Sequence, residues 1–438
     1  MSRADAARQS RDRHPVGARR RVLRSLGAPV VLALSIAAIG FAIETTPAAQ
    51  RWNGDLRLYH DYAAAVLRGQ LDDTDYLRQY PPLALVPLLV PQIIGLGALS
   101  FPLYAALYTL LTACAAGAGL ALLRRTVAGA GQLAVPPATA LYAGLCLLAT
   151  VVIVARFDVW PMLAVLAAMA AMSADTALVA GAALGIGFAL KLYPAVLQPV
   201  VVAWFLYRGR RRCALLALLG FLAAAVLGLA PYLLVLQGAP AFVAFQLHRP
   251  MQIETLVGSL VAFAGSAGIT PVQIVFGSGS FNLAGPAVDA LDPWIGAFQL
   301  VVVGLGYAAA IAGMRAGRGV PRLETAWRGM LIVLLAVLLS SRVFSAQYLV
   351  WLIPLLAATM RRRWELAAAV VVLGLTAVLF PFAYEALIAL QPLPVALLVA
   401  RNVVLACLFA WLVVASFLGP VGRPDHHRLE VVSTPAET

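Results

Sequence analysis

Lysine is almost missing from this chain: Lys191 is the only one in 438 residues, and arginine supplies the rest of the positive charge. Charged residues make up 12% of the sequence, against about 25% in an ordinary soluble domain. That shortfall excludes a water-soluble globular protein. Cysteine is scarce as well. Cys114, Cys146, Cys213 and Cys407 lie in or beside apolar runs with no paired spacing. They read as small packing residues, and neither a disulfide framework nor a cysteine metal site is expected. His248 has no partner at zinc-ligand spacing, and no metal or cofactor is expected. The two halves show no similarity, which argues against a transporter built from repeats.

What the chain does have is apolar sequence. It is 62% hydrophobic, with mean hydropathy +0.89. Runs long enough to cross a bilayer, about 20 residues each, recur from Leu26 to Leu418. The expected fold class is all-α: a polytopic helical membrane protein of about twelve crossings. A net charge of +13 does not point to nucleic acid, because the arginines cluster in short loops between apolar runs, as the positive-inside rule requires. The expected surroundings are membrane lipids. Arginine over lysine, with abundant Ala, Leu and Val, suggests a GC-rich bacterial genome and a multi-pass protein of the cell membrane.

Setting the apolar runs against the arginines gives an organisation. Residues 1–25 are an unstructured basic cytoplasmic tail, 26–418 the membrane domain and 419–438 a second unstructured tail. Two polar regions, 44–80 and 237–292, then fall outside the cytoplasm. The region 81–123 counts as one effective crossing. The apolar part of the second loop, 256–276, is predicted to be re-entrant or to lie on the surface. A crossing there would carry Arg315, Arg318, Arg322 and Arg328 to the wrong side. The stretch 277–293 reads as loop.

The first loop is the polar exception in a greasy chain. It carries Asp55, Asp61, Asp72, Asp73, Asp75 and His60. Tyr59, Tyr62, Ala63, Val66 and Leu67 share a face at helical spacing, which predicts a helix over 58–67 lying on the membrane surface and ended by Gly69. Of the 32 basic residues, all but nine fall in cytoplasmic segments. The nine are Arg51, Arg57, Arg68, Arg78, Arg156, Lys191, Arg249, Arg342 and Arg401. Ionisable groups in such positions are usually retained for a task. They imply a basic pocket opening outward, opposite the first-loop carboxylates. Such a pocket suits a lipid phosphate. Its cations would hold the phosphate and stabilise it as a leaving group, while a carboxylate takes a proton from an acceptor hydroxyl.

Several short motifs carry a resemblance. They are Asp55-Leu-Arg-Leu-Tyr59 followed by Tyr80-Pro81-Pro82, Arg156-Phe-Asp158, the run Lys191 to Pro194, the run His248 to Glu254, and the run Phe344 to Trp351. In this order they resemble the GT-C superfamily of membrane glycosyltransferases and, within it, glycosyltransferase family 87. The resemblance implies Asp55 as catalytic base. It also implies a polyprenyl-phosphate sugar donor, often of mannose, and inverting transfer to a lipid or glycan acceptor outside the cytoplasm. Tyr59, Tyr80, Arg156, Asp158, Lys191, His248, Arg249, Glu254, Arg342 and Gln347 are the expected substrate and phosphate ligands. Gln79 and the segment 71–75 depart from the family pattern and leave the sugar open.

Other roles stand beside these. Asp55 could cap its helix or pair with Arg57. Asp61 is the rival base, on a solvated face. Asp72, Asp73 and Asp75 form a turn cluster, with a hard divalent ion as a second reading. Arg156 and Asp158 could pair with each other, Lys191 could snorkel, and Arg401 could bind phosphate or bridge to Glu385. The competing functions are a transporter or flippase of envelope lipids and a non-catalytic assembly subunit.

Overall fold

A computed structural model describes residues 15–47, 54–70, 75–97, 99–130, 135–234, 239–316 and 320–418. Asp72, Asp73, residues 1–14 and the tail 419–438 lie outside the described residues.

The chain is a bundle of helices of two lengths. Long ones are α1 (Pro15–Glu44), α4 (Phe101–Gly129), α10 (Arg211–Leu234), α13 (Pro286–Arg315), α14 (Leu323–Ser340), α16 (Arg363–Ala377, continued to Phe382 by a wide turn) and α18 (Pro392–Leu418). Among the described residues, seven helices, one from each of these, are long and apolar enough to cross a membrane. The chain is therefore a polytopic helical membrane protein. Helix α1 begins at Pro15 and so includes residues 15–25, which the sequence had assigned to an unstructured tail.

Shorter elements fill the spaces between: α2 (Gly54–Leu67), α3 (Leu85–Ile94), α5 (Val135–Leu148), α6 (Thr150–Ala155), α7 (Val159–Ser173), α8 (Ala177–Leu190), α9 (Gln198–Tyr207), α11 (Ala239–Leu247), α12 (Leu256–Ser266), α15 (Ile353–Thr359) and α17 (Tyr384–Ile388). Among the described residues, seven shorter apolar segments of 10–17 residues are found in this set and its 3₁₀ extensions. A count of twelve crossings would need several of them to span. Helices α7 and α8, of 15 and 14 residues, rise only about 21–23 Å, against about 30 Å of hydrocarbon. The turn Ala174–Thr176 that joins them is exposed, whereas the Asp158 end of α7 and the Lys191 end of α8 are enclosed, and there polar residues meet.

Close packing fixes those ends. Helices α8 and α10 meet backbone to backbone: a Cβ on Gly181 would strike the Ala217 carbonyl, one on Gly185 the Phe221 carbonyl, and one on Gly220 the Leu178 carbonyl. Small residues four apart permit this approach between membrane helices. Because α8 runs directly into Lys191, the glycine contact sets the position of that side chain.

The first-loop helix is longer than expected, starting at Gly54. Its tyrosine face does not lie against lipid. Leu56, Tyr59, Tyr62 and Ala63 are buried against Tyr76, Tyr80, Tyr104, Tyr108 and Phe157. Gly69 follows with φ +69°, a left-handed value that glycine tolerates without cost to a Cβ. In the second loop α12 has 11 residues, too few to cross. The segment 277–293 is not loop alone: β1 (Gln273–Gly277) pairs antiparallel with β2 (Ser280–Ala284), and α13 follows from Pro286. The two-residue turn is Ser278-Gly279, both at positive φ, the form that a tight hairpin needs.

Candidate active site

Asp55 stands in the first turn of α2, where a carboxylate is favoured by the positive end of the helix dipole. It pairs with Arg156 and not with Arg57. Arg156 is the residue at which α6 ends, with φ −129° and ψ 160°. Its guanidinium also lies 5.3 Å from the Phe380 ring. The side chains are 12% exposed for Arg156 and 33% for Asp55.

Asp158 occupies the N-cap position of α7 but makes no capping hydrogen bond. Its Oδ1 instead accepts from Lys191 Nζ at 2.6 Å and from Trp351 Nε1 at 2.7 Å. At 1% exposure the carboxylate is enclosed. Arg156 and Asp158, two residues apart, are thus not partners of each other in an ion pair. Lys191 does not snorkel to an open surface. Its ammonium faces the rings of Phe157, Tyr348 and Trp351 at 5.5, 4.9 and 5.2 Å, a cation–π setting.

Two of those rings, Tyr348 and Trp351, are set by a 3₁₀ turn over Ala346–Leu352. Three residues per turn put positions i and i+3 on one side, so Tyr348 stacks on Trp351 at 4.1 Å, and Tyr193 stacks on Trp351 at 3.9 Å. Tyr59 packs edge-on to Tyr80 at 6.1 Å, and Tyr80 edge-on to Phe157 at 6.2 Å. Burial holds both hydroxyls well above the ordinary tyrosine range, so they remain neutral donors.

The third cation is Arg401, in the middle of α18. It is 1% exposed and pairs with Glu254 at 3.4 Å, which replaces the expected bridge to Glu385. Its Nη2 also donates to the Glu254 carbonyl at 2.8 Å. Asn402 donates to the Glu254 and Thr255 carbonyls and to Ser259 Oγ. Tyr384 donates to Glu254 Oε1 at 3.1 Å. Burial pushes the Glu254 carboxyl above its ordinary value, against the pull of Arg401.

Four expected ligands stand apart from this cluster in their bonding. The His248 ring lies 2.8 Å from the Ala244 carbonyl, and the residue is exposed. Arg249 donates to Ser280 Oγ at 3.1 Å and anchors the hairpin. Arg342 bonds the Asp292 side chain and its carbonyl. Gln347 is half-buried in the 3₁₀ turn and holds none of the three charged pairs. Asp61 is 72% exposed and paired with His60, as its solvated face implied. Trp351, Tyr348, Tyr384 and Asn402 were not foreseen. The first two lie inside the Phe344–Trp351 motif, and Asn402 is a polar residue in an apolar run, a signal in its own right.

A family model described as glycosyltransferase family 87 matches residues 78–341, more than half of the chain. The chain belongs to glycosyltransferase family 87. It is therefore a glycosyltransferase, an enzyme that takes a sugar donor and an acceptor. The matched span of this family 87 enzyme includes Tyr80, Arg156, Asp158, Lys191 and Glu254, and begins after Asp55. No curated protein matches the sequence.

Proposed function

We propose that this family 87 enzyme is a GT-C-type hexosyltransferase. It moves mannose, on the family resemblance, from a polyprenyl-phosphate donor to a hydroxyl of a lipid or glycan acceptor outside the cytoplasm. Asp55 takes the proton of that hydroxyl. The oxygen then attacks the anomeric carbon from the side opposite the phosphate, and the phosphate departs with the bonding electrons. A single displacement inverts the configuration. Arg156 and Lys191 hold the departing phosphate, since guanidinium and ammonium groups favour the charge that develops on it.

One observation carries the reading. The partly exposed carboxylate of Asp55 lies against Arg156, two positions along the chain from Asp158 of a buried pair that contains the chain's only lysine. A base and cations brought together by enclosed helix ends match the needs of transfer from a lipid phosphate.

The test uses purified protein in detergent, an acceptor-containing membrane extract and three labelled donors: polyprenyl-phosphate-mannose, polyprenyl-phosphate-glucose and GDP-mannose. Transfer is expected from a lipid-linked donor and not from the nucleotide sugar. The Asp158→Asn/Lys191→Met double variant removes the buried charges together, so neither is stranded. It should stay folded yet lose on the order of 10- to 100-fold in kcat/KM, the equivalent of one charge-assisted phosphate contact. Equal transfer from GDP-mannose, or an undiminished double variant, would overturn the assignment.

A further inference from the structure

Each cation of the cluster already has a carboxylate: Arg156 has Asp55, Lys191 has Asp158, and Arg401 has Glu254. A phosphate arriving at this site meets no free positive group among these three. An ammonium or guanidinium has donors enough to be shared, but a phosphate that takes one of these cations outright must displace its carboxylate. Two of the pairs are fixed by additional bonds, Asp158 by Trp351 Nε1 and Glu254 by Tyr384 and by the Arg401 contact to its carbonyl. Both carboxylates are also enclosed, at 1% and 6% exposure. Asp55 is the exception, at 33% exposure. Arg156 also has capacity to spare: its Nε is buried and finds no acceptor among the described residues. A guanidinium offers five N–H donors, and an unmet one in a buried place is costly.

We propose that Arg156 is exchanged between Asp55 and the phosphate of the donor, so that the base is released only once the donor has bound. With the donor absent, Asp55 is neutralised by Arg156 and is a poor proton acceptor. When the phosphate takes the guanidinium, Asp55 is freed beside the anomeric carbon, ready for the acceptor hydroxyl. Binding is then compulsory-ordered, donor before acceptor, and a water molecule or an early acceptor meets a base that is occupied. This rests on the lipid-phosphate reading above.

Exchange makes an unusual demand on the variant that lacks the base. Asp55→Asn removes the competitor for Arg156 and should bind phosphate more tightly than the wild type. The probe is citronellyl phosphate, a short isoprenoid phosphate, titrated into full-length protein in detergent. Asp55→Asn should bind it roughly tenfold more tightly, the gain of one charge-assisted contact. Arg156→Gln should bind it more weakly than the wild type. The Asp55→Asn/Arg156→Gln double variant should match Arg156→Gln, because the gain requires the arginine. Two results would overturn the exchange: no tightening in Asp55→Asn, or equal tightening whether or not Arg156 is present, which would mark a general charge effect. Should Asp55→Asn fail to fold, Asp55→Ser takes its place. If the wild type transfers nothing from lipid-linked donors, the function reading falls by itself. The same four proteins titrated with inorganic phosphate then still decide the exchange.

Discussion

Asp55→Asn is expected to cut turnover about 1,000-fold. The substitution keeps the size of the side chain and removes its proton-accepting charge, and a positioned general base contributes about 10²- to 10⁴-fold. The expected loss in kcat is therefore on the order of 1,000-fold, measured as transfer of labelled mannose at saturating donor, with the protein still folded and still binding lipid phosphate. Asp61→Asn serves as the comparison. That carboxylate is 72% exposed and paired with His60 on the same helix, and its loss should leave the rate within about twofold. Activity retained in the Asp55 variant and lost in the Asp61 variant would move the base to the other face of α2.

The second large effect concerns stability. Arg401 sits inside α18, 1% exposed, and holds the second loop through Glu254. Arg401→Leu leaves that carboxylate enclosed without its cation, a situation that costs about 3–5 kcal/mol. Thermal unfolding in detergent should fall accordingly. Glu254→Gln/Arg401→Leu removes both charges and should recover much of the loss, because two neutral groups leave no stranded ion. An Arg401→Leu protein as stable as the wild type would show that the pair is not what fastens the loop to α18.

The sequence exposed this site unevenly, for physical reasons. The helix bearing Tyr59 was legible over 58–67 because apolar residues at i, i+3 and i+4 report local periodicity and Gly69 marks its end, but its first turn, with Asp55, was not. Helices α7 and α8, over Val159–Ser173 and Ala177–Leu190, follow apolar runs that Asp158 precedes and Lys191 ends, so their existence is readable from composition. Pairing was not legible. Asp158 finds its partners 33 and 193 residues further along the chain, whereas sequence proximity offers Arg156. Arg401 reaches back 147 residues to Glu254, past the nearer Glu385. The hairpin over 273–284 did leave a trace, since Ser278-Gly279 separates the apolar run Ile274–Phe276 from the alternating Ser280–Leu283, but abundant glycine and serine disguised it as loop. The aromatic wall around Lys191 depends on a 3₁₀ turn, whose period of three differs little from that of an α-helix over seven residues.

All of these side chains matter to a lipid-linked reaction only if they face the compartment we propose. Asp61 is the exposed neighbour of Asp55 on α2 and reports that compartment. In a variant with Cys114, Cys146, Cys213 and Cys407 replaced by serine, Asp61→Cys is treated with a membrane-impermeant maleimide. Labelling in intact cells, with Arg361→Cys labelled only after permeabilisation, is the result expected for a site outside the cytoplasm. Labelling of position 61 only after permeabilisation would contradict it.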